Sequence, residues 1–407
     1  MFSWWRAGTP QARRALVAAA LGWMLDAFDV TLFAMVLPAV RAELGLSGAA
    51  AGALGSATLL AAAAGGVLFG LLADKYGRTR ALVLSVAIYS VFTAACGFAQ
   101  DFTQLLVFRI LLGIGMGGEW ASGAALVSET WPAEHRGKAL GFMQSGWAIG
   151  YAAAALVNAV VQPAFGWRAV FFVGVLPAFF TLWVQRRVEE PEIWRAAATR
   201  SRPSAGFRSI FRSGVAGLTV ALTLMNTFTL FAWWGFNLWL PSYLKAPAAQ
   251  GGIGLTGGIA SAFVFVMQIG MWFGYVTFGF VSDRLGRKRT YVAYLLGAAV
   301  LLAVYVTVHI ASVLLLLGPF VAFAATGYFS GFGAVTAEIY PTSIRATAQG
   351  FTYNVGRLVS AFAPYLVGSL ADTHGFGAAL LVCALSFVLA AIVWIWIPET
   401  RGRALAE

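Results

Sequence analysis

The chain has little of what a soluble protein of its size relies on. Its 407 residues include 16 acidic side chains, 3 histidines and 2 cysteines, and charged residues make up only 11%. Cys96 and Cys383 both fall in apolar runs, which excludes a disulfide framework and a cysteine-based metal site. His135, His309 and His374 lie in loops or at predicted helix ends. With no metal-ligand spacing and no nucleophile–base constellation, no metal, no resident cofactor and no catalytic residue is expected, and the chain does not read as an enzyme. What is present in excess is apolar surface: 60% of residues are hydrophobic and the mean hydropathy is +0.79. A soluble fold of this length could not bury so much.

A bilayer core takes about 20 apolar residues per spanning helix. Runs of that kind occur near 15–40, 49–73, 81–99, 104–127, 139–161, 169–187, 214–240, 259–282, 290–309, 312–336, 346–370 and 377–397. They predict an all-α polytopic membrane protein with twelve transmembrane helices. The first run is too long for a signal peptide and has no evident cleavage site, so it is expected to stay as helix 1.

A net charge of +11 could point to nucleic acid, but the placement of the charge excludes that. With the N-terminus inside, the outer loops carry only Arg41, Arg168 and Lys245, and Arg109 and Arg357 lie within runs. Every other Lys and Arg falls on the inner side, which is the positive-inside pattern of a membrane protein. The expected location is the cell inner membrane, with both termini cytoplasmic, the lipid bilayer as surroundings and no nucleic-acid partner. A monomer is expected.

Two motifs occur twice. Gly70-Leu-Leu-Ala-Asp74-Lys-Tyr-Gly77-Arg78 is echoed by Gly279-Phe-Val-Ser-Asp283-Arg-Leu-Gly286-Arg287, and Glu129-Thr-Trp-Pro132-Ala-Glu-His-Arg136 by Glu338-Ile-Tyr-Pro341-Thr-Ser-Ile-Arg345. Both recur after 209 residues, Gly70 to Gly279 and Glu129 to Glu338. Two independent motifs sharing one interval indicate two six-helix repeats of parallel topology. They assign residues 1–187 to an N-terminal half, 188–213 to a polar cytoplasmic linker and 214–407 to a C-terminal half.

The Gly-x-x-x-Asp-[Arg/Lys]-x-Gly-Arg pattern, present in both halves, resembles the signature of the major facilitator superfamily. The resemblance covers the whole chain. It implies that helices 1, 4, 7 and 10 line a central cavity that two rocking halves expose to alternate sides. The motif residues Asp74, Arg78, Glu129, Arg136, Asp283, Arg287, Glu338 and Arg345 are candidate gating residues. Glu129 with Arg136, and Glu338 with Arg345, are expected as ion pairs on the inner face.

Charges inside the runs do not repeat. Asp26, Asp29, Arg109, Glu119 and Arg357 correspond, at the 209-residue interval, to Gly235, Leu238, Gly318, Tyr328 and Ala148. Charge needed merely to build a half would recur in both halves, so a functional role is the better reading. Asp26 and Asp29 are three residues apart on one helical face. The three acids and two arginines leave one net negative charge when all are ionised, so an incoming anion calls for neutralisation of an acid. Asp26, Asp29 and Glu119 are therefore candidate proton-coupling groups. Arg357 is the candidate carboxylate clamp, because a guanidinium holds a carboxylate through two parallel hydrogen bonds. Asn354 and Tyr353, within a turn of it, and Arg109, Gln144, Asn226 and Tyr328 complete the candidate substrate-binding set. Arg109 is also expected to pair with Asp29. Gly113, Gly115, Gly117 and Gly118 are expected to allow close helix contact.

Within the superfamily, several segments resemble the sialate:proton symporter family, which includes lactate and other monocarboxylate carriers. They are Leu25-Asp26-Ala27-Phe28-Asp29, Arg109 with Gly113-Ile-Gly-Met-Gly-Gly-Glu119-Trp120, Trp239-Leu240-Pro241-Ser-Tyr243-Leu and Tyr353-Asn354-Val-Gly356-Arg357. The spaced aspartates also resemble aromatic-acid:proton symporters, whose motif has Gly where this chain has Ala27. The resemblance implies proton-coupled uptake of a small organic anion, such as lactate, pyruvate or sialate, with an aromatic acid as the alternative. Gly146-Trp147-Ala-Ile-Gly150 lacks the proline of drug exporters. Gly166-Trp167-Arg168 and Pro398-Glu399-Thr400-Arg401-Gly402 resemble sugar-porter marks, but a neutral sugar has no need of Arg357.

Overall fold

The computed structural model describes residues 3–176, 179, 183–184, 188–190, 210–212, 214–340 and 342–401. Among the described residues there are helices and turns and no strand. The helices are α1 (Ser3–Ala7), α2 (Pro10–Leu44), α3 (Gly48–Tyr76), α4 (Arg78–Cys96), α5 (Phe102–Thr130), α6 (Ala133–Val173), α7 (Ala216–Lys245), α8 (Gly257–Leu285), α9 (Arg287–Thr307), α10 (Ala311–Thr326), α11 (Phe332–Ile339), α12 (Thr342–Ser360) and α13 (Ala363–Val393). A 3₁₀ segment, Gly327–Gly331, joins α10 to α11.

Local chemistry sets many of the ends. Thr9 Oγ1 accepts from Ala12 N–H and Pro10 opens α2, while Gly45 closes it in the left-handed region at φ 62°. Ser47 and Asp101 cap α3 and α5 in the same way. The tight corners between α3 and α4, and between α8 and α9, rest on Gly77 (φ 115°) and Gly286 (φ 97°). A side chain is strained at that φ.

Ten helical stretches among the described residues are long and apolar enough to cross a membrane. The difference from the twelve runs read in the sequence has local causes. α6 carries the 139–161 run through Gly166, at φ 78°, into the start of the next run, and part of 169–187 lies outside the described residues. The last two runs fall in one stretch, Ala348–Val393, kinked at Gly375 with φ 79°. Gly166 and Gly375 are counterparts at the repeat interval.

The surface confirms the solvent. On α13, Leu381, Leu385, Leu389 and Ile392 form an exposed stripe, while Leu380, Ala384, Phe387 and Ala391 are buried. In water such stripes would forfeit roughly 25 cal/mol per Å² of apolar area. In lipid they lose nothing, and helix contact depends instead on close packing.

The chain forms two compact units, one of residues 1–201 with 256–265 and one of residues 202–255 with 266–407. In the first, α2 packs on α5 and α6, and α5 also packs on α3 and α4. A Cβ on Gly113 would strike Thr58 O, and one on Gly117 would strike Ala62 O, so α3 and α5 touch backbone to backbone. This is the close contact expected of the α5 glycines. Asn158 Nδ2 donates to Ser261 Oγ at 2.9 Å, joining α6 to the 256–265 segment of the same unit. In the second unit, α7 packs on α12 and α13, and α9 on α10 and α13. Most of the 188–213 linker lies outside the described residues.

Candidate functional site

The first unit gathers four of the five unmatched charges. Asp26 and Asp29 project from α2 and are 2% and 1% exposed; Arg109 and Glu119 project from α5 and are 3% and 0% exposed. Glu119 reaches α2 because Gly22 leaves room: a Cβ there would overlap Glu119 Oε1. Gly22 lies one turn before Asp26, and the Asp26 and Glu119 carboxyls interact electrostatically, as do those of Asp26 and Asp29. Thr93 Oγ1, from α4, donates to Asp29 Oδ2 at 3.2 Å. Among the described residues, Asp29 Oδ1 and both carboxyl oxygens of Glu119 have no hydrogen-bond partner. Buried polar atoms left unpaired by the protein cost free energy and mark places kept for a proton, water or ligand.

Arg109 is seated on an aromatic ring. Its guanidinium lies over the Phe33 ring, 3.9 Å from the centroid, and its Nε and Nη1 have no hydrogen-bond partner among the described residues. It acts on Asp29 through space rather than as a hydrogen-bonded pair. A stacked guanidinium keeps its in-plane N–H groups available while its face is covered. Among the described residues Gln144 Oε1 on α6 also has no partner, and Trp147 meets Trp23 in a tilted pair, with ring centroids 4.6 Å apart.

The second unit holds the fifth charge. Arg357 occupies the last turn of α12. It is 8% exposed, and its Nε has no hydrogen-bond partner among the described residues. The helix breaks just after it: Ser360 Oγ and Ala361 N–H both donate to Arg357 O, and α13 starts at Ala363. Gly356 packs on Asn226 of α7, where an added Cβ would lie 2.8 Å from Asn226 Cβ. Asn226 Oδ1 is buried without a partner. Asn354 Nδ2 is spent on Gly350 O in its own helix, at 2.9 Å.

Tyr328 is not α-helical, as the sequence implied, but sits on the 3₁₀ segment that interrupts this span. Such interruptions tend to mark functional hinges. Its hydroxyl is buried without a partner among the described residues, and its carbonyl accepts from Tyr291 Oη at 2.9 Å. Aromatic rings surround it: Phe329 at 4.7 Å, Phe332 at 5.8 Å and Phe387 at 6.3 Å. Tyr353 meets Phe332 edge-on at 6.4 Å. Arg357 thus follows, by one turn, a tyrosine that faces an aromatic wall.

The repeated motifs form matching polar clusters. Arg78 Nη2 contacts Glu129 Oε1 at 3.0 Å, and Arg287 Nη2 contacts Glu338 Oε1 at 2.9 Å. The glutamates therefore find arginines of the other motif. The side chains of Asp74, Arg136 and Arg345 lie outside the described residues, so the expected pairs with Arg136 and Arg345 do too. Arg287 also pairs with Asp283 and donates to Ser282 Oγ at 2.9 Å.

Sequence reasoning missed two members. Glu190 accepts from the backbone N–H of Thr79 and Arg80, and Glu399 from those of Arg287 and Lys288. Each carboxylate sits on the first amides of a helix, where the helix dipole favours negative charge. Partial burial opposes ionisation of Glu399, yet backbone N–H donors from Arg401, Arg287, Lys288 and Thr400 hold its carboxyl below the ordinary value of 4.5. Glu190 and Glu399 share the repeat interval, which was the available signal. Thr93, Phe33 and Gly22 left no such signal, because only the packing brings them to the charges.

The model of the Major Facilitator Superfamily matches residues 19–276 and 246–407. The chain is 36% identical to a probable 4-methylmuconolactone transporter of Cupriavidus pinatubonensis, covering 100% of this chain and 95% of that one. It is 30% identical to the cis,cis-muconate transport protein of Acinetobacter baylyi (95% and 94% covered) and 30% identical to the sialic acid transporter NanX of Escherichia coli (95% and 94% covered). Among solved structures, the xylose transporter XylE of E. coli in a partially occluded inward-open conformation aligns with a TM-score of 0.78 at 21% identity, over 98% of this chain and 100% of that one. That likeness concerns the fold. The chain belongs to the Major Facilitator Superfamily and is a membrane-spanning transporter, not an enzyme.

Proposed function

We propose that the chain is a proton-coupled importer of a small organic acid that carries a ring or a conjugated chain, working by alternating access in the inner membrane. The observation that carries the reading is the unmatched set of buried charges. Arg357, with Nε unpaired, clamps the substrate carboxylate. Asp26 and Asp29, with Glu119 nearby, bind the proton that offsets the anion's charge. Because these acids interact with one another, the proton belongs to the group and not to one member.

The aromatic wall of Tyr328, Phe329, Phe332 and Tyr353 supports a ring or a flat unsaturated chain over lactate, since aromatic surfaces gain from stacking. The relatives support the same class: a muconolactone, a muconate and a sialic acid are all larger than lactate. Sialate is the second reading, favoured by the 30% identity to its E. coli transporter.

The test is uptake of labelled benzoate, cis,cis-muconate, sialate, lactate and glucose into liposomes holding the purified protein. Accumulation of benzoate or muconate above that of lactate, and none of glucose, is expected. Preferred accumulation of glucose would overturn the reading.

A further inference from the structure

The aromatic residue two positions after the motif glutamate is Trp131 in one half and Tyr340 in the other. Each forms a buried polar link to the opening of the helix that carries candidate site residues. In the first unit Trp131 caps the end of α5, and its indole Nε1–H donates to Ala12 O in the first turn of α2 at 2.9 Å. The ring is wedged in place: a Cβ on Gly8 would come within 2.8 Å of it, and Trp5 packs on it at 6.2 Å. In the second unit Tyr340 caps α11, and its hydroxyl lies 2.8 Å from Thr219 Oγ1 in the first turn of α7. Thr219 Oγ1 itself donates to Ile210 O at 2.8 Å, so the phenol supplies the proton of that link.

Neither contact stands alone. Glu129, two residues before Trp131, holds Arg78 at the start of α4, and the next amides of α4 hold Glu190. Glu338, two residues before Tyr340, holds Arg287 at the start of α9, and the amides of α9 hold Glu399. Each unit thus has one run of polar contacts, from a carboxylate on a helix start, through an arginine–glutamate pair, to an aromatic donor. In the first unit it ends on α2, which bears Asp26 and Asp29. In the second it ends on α7, which bears Asn226. The ion pairs recur residue for residue, whereas the landing points differ, a backbone carbonyl in one half and a threonine hydroxyl in the other.

We infer that Trp131 and Tyr340 are positioning residues that tie the state of the arginine–glutamate pair in each half to the opening turns of α2 and α7, respectively. This rests on the transporter reading for its purpose, but its test needs no substrate. A failure here is therefore separable from a failure of that reading.

Hydrogen exchange followed by mass spectrometry on the full chain in lipid nanodiscs is the test. Trp131→Phe and Tyr340→Phe keep a ring and remove the donor. Loss of one buried hydrogen bond should speed exchange about three- to ten-fold locally. Trp131→Phe should do so over residues 9–20 and leave 214–223 unchanged, and Tyr340→Phe should do the reverse. Glu129→Gln should also speed 9–20, and adding it to Trp131→Phe should give no further increase, since links in one series are not additive. A ring that only packs would give additive effects. Additivity, equal effects on both windows, no effect of Glu129→Gln on 9–20, or loss of monodisperse protein in both phenylalanine variants would overturn the inference.

Discussion

At the residue scale, the five intramembrane charges differ in how the protein treats them. Asp29 is held on one oxygen by Thr93 and left open on the other, and Glu119 is open on both. A group meant only to brace two helices would have its hydrogen bonds filled, because an unfilled buried donor or acceptor costs about 1–3 kcal/mol. Asp29→Asn keeps the shape and removes the titration. It should weaken pH-driven accumulation in liposomes, and Asp26→Asn combined with Asp29→Asn should abolish it, while substrate exchange without a gradient stays largely intact. Arg357→Lys keeps the charge but loses the two-pronged geometry, and should raise KM about ten-fold or more with a smaller change in kcat. Steady-state uptake over a range of substrate concentrations checks it. The positions of these charges were legible in the sequence, because depth in a span and mismatch between halves are sequence properties. Their partners were not: Thr93 and Phe33 lie on other helices or other turns and carry no pattern of their own.

At the element scale, breaks in helices matter as much as the helices. Hydrophobic runs mark the spans, yet they are blind to a 3₁₀ turn such as Gly327–Gly331, because the turn lies within one continuous stretch, Ala311–Gly331, that is apolar enough to span. They are equally blind to the kinks at Gly166 and Gly375, which need a positive φ that composition does not announce. Close helix packing was readable from the α5 glycines. Gly117→Leu would drive a side chain into the Ala62 carbonyl and the α3 backbone. It should lower the thermal unfolding midpoint in detergent by several degrees or prevent folding, whereas the same change at Gly141, where nothing lies within 4 Å of the added Cβ, should not.

The helix starts make a second prediction, on pH. Glu399 is held below its ordinary carboxyl value of 4.5. The stability it adds is therefore present above that value and is lost as pH falls through its lowered folded value. Thermal midpoints of the parent chain and Glu399→Gln should differ by a constant amount between pH 6 and 8. The difference should shrink only in acid below about pH 4.5.

At the scale of the whole molecule, the repeat is the organising fact. The interval that relates the two sequence motifs also relates Arg78–Glu129 to Arg287–Glu338, Glu190 to Glu399 and Gly166 to Gly375. Scaffold features recur, and the buried charges do not. The proposed transport chemistry rests on that asymmetry, which is legible in the sequence because both motifs are specific. The ring wall around Tyr328 was not legible, since it draws on α11, α12 and α13 together. On the proposed mechanism, organic-acid entry carries a proton through the α2–α5 acids. The most direct measurement is the lumenal pH of liposomes loaded with a fluorescent pH indicator, after benzoate or muconate is added outside with no gradient imposed and the membrane potential clamped. Acidification of the lumen that is absent in the Asp26→Asn/Asp29→Asn double variant is the predicted result. Substrate entry with no change in lumenal pH would contradict the account.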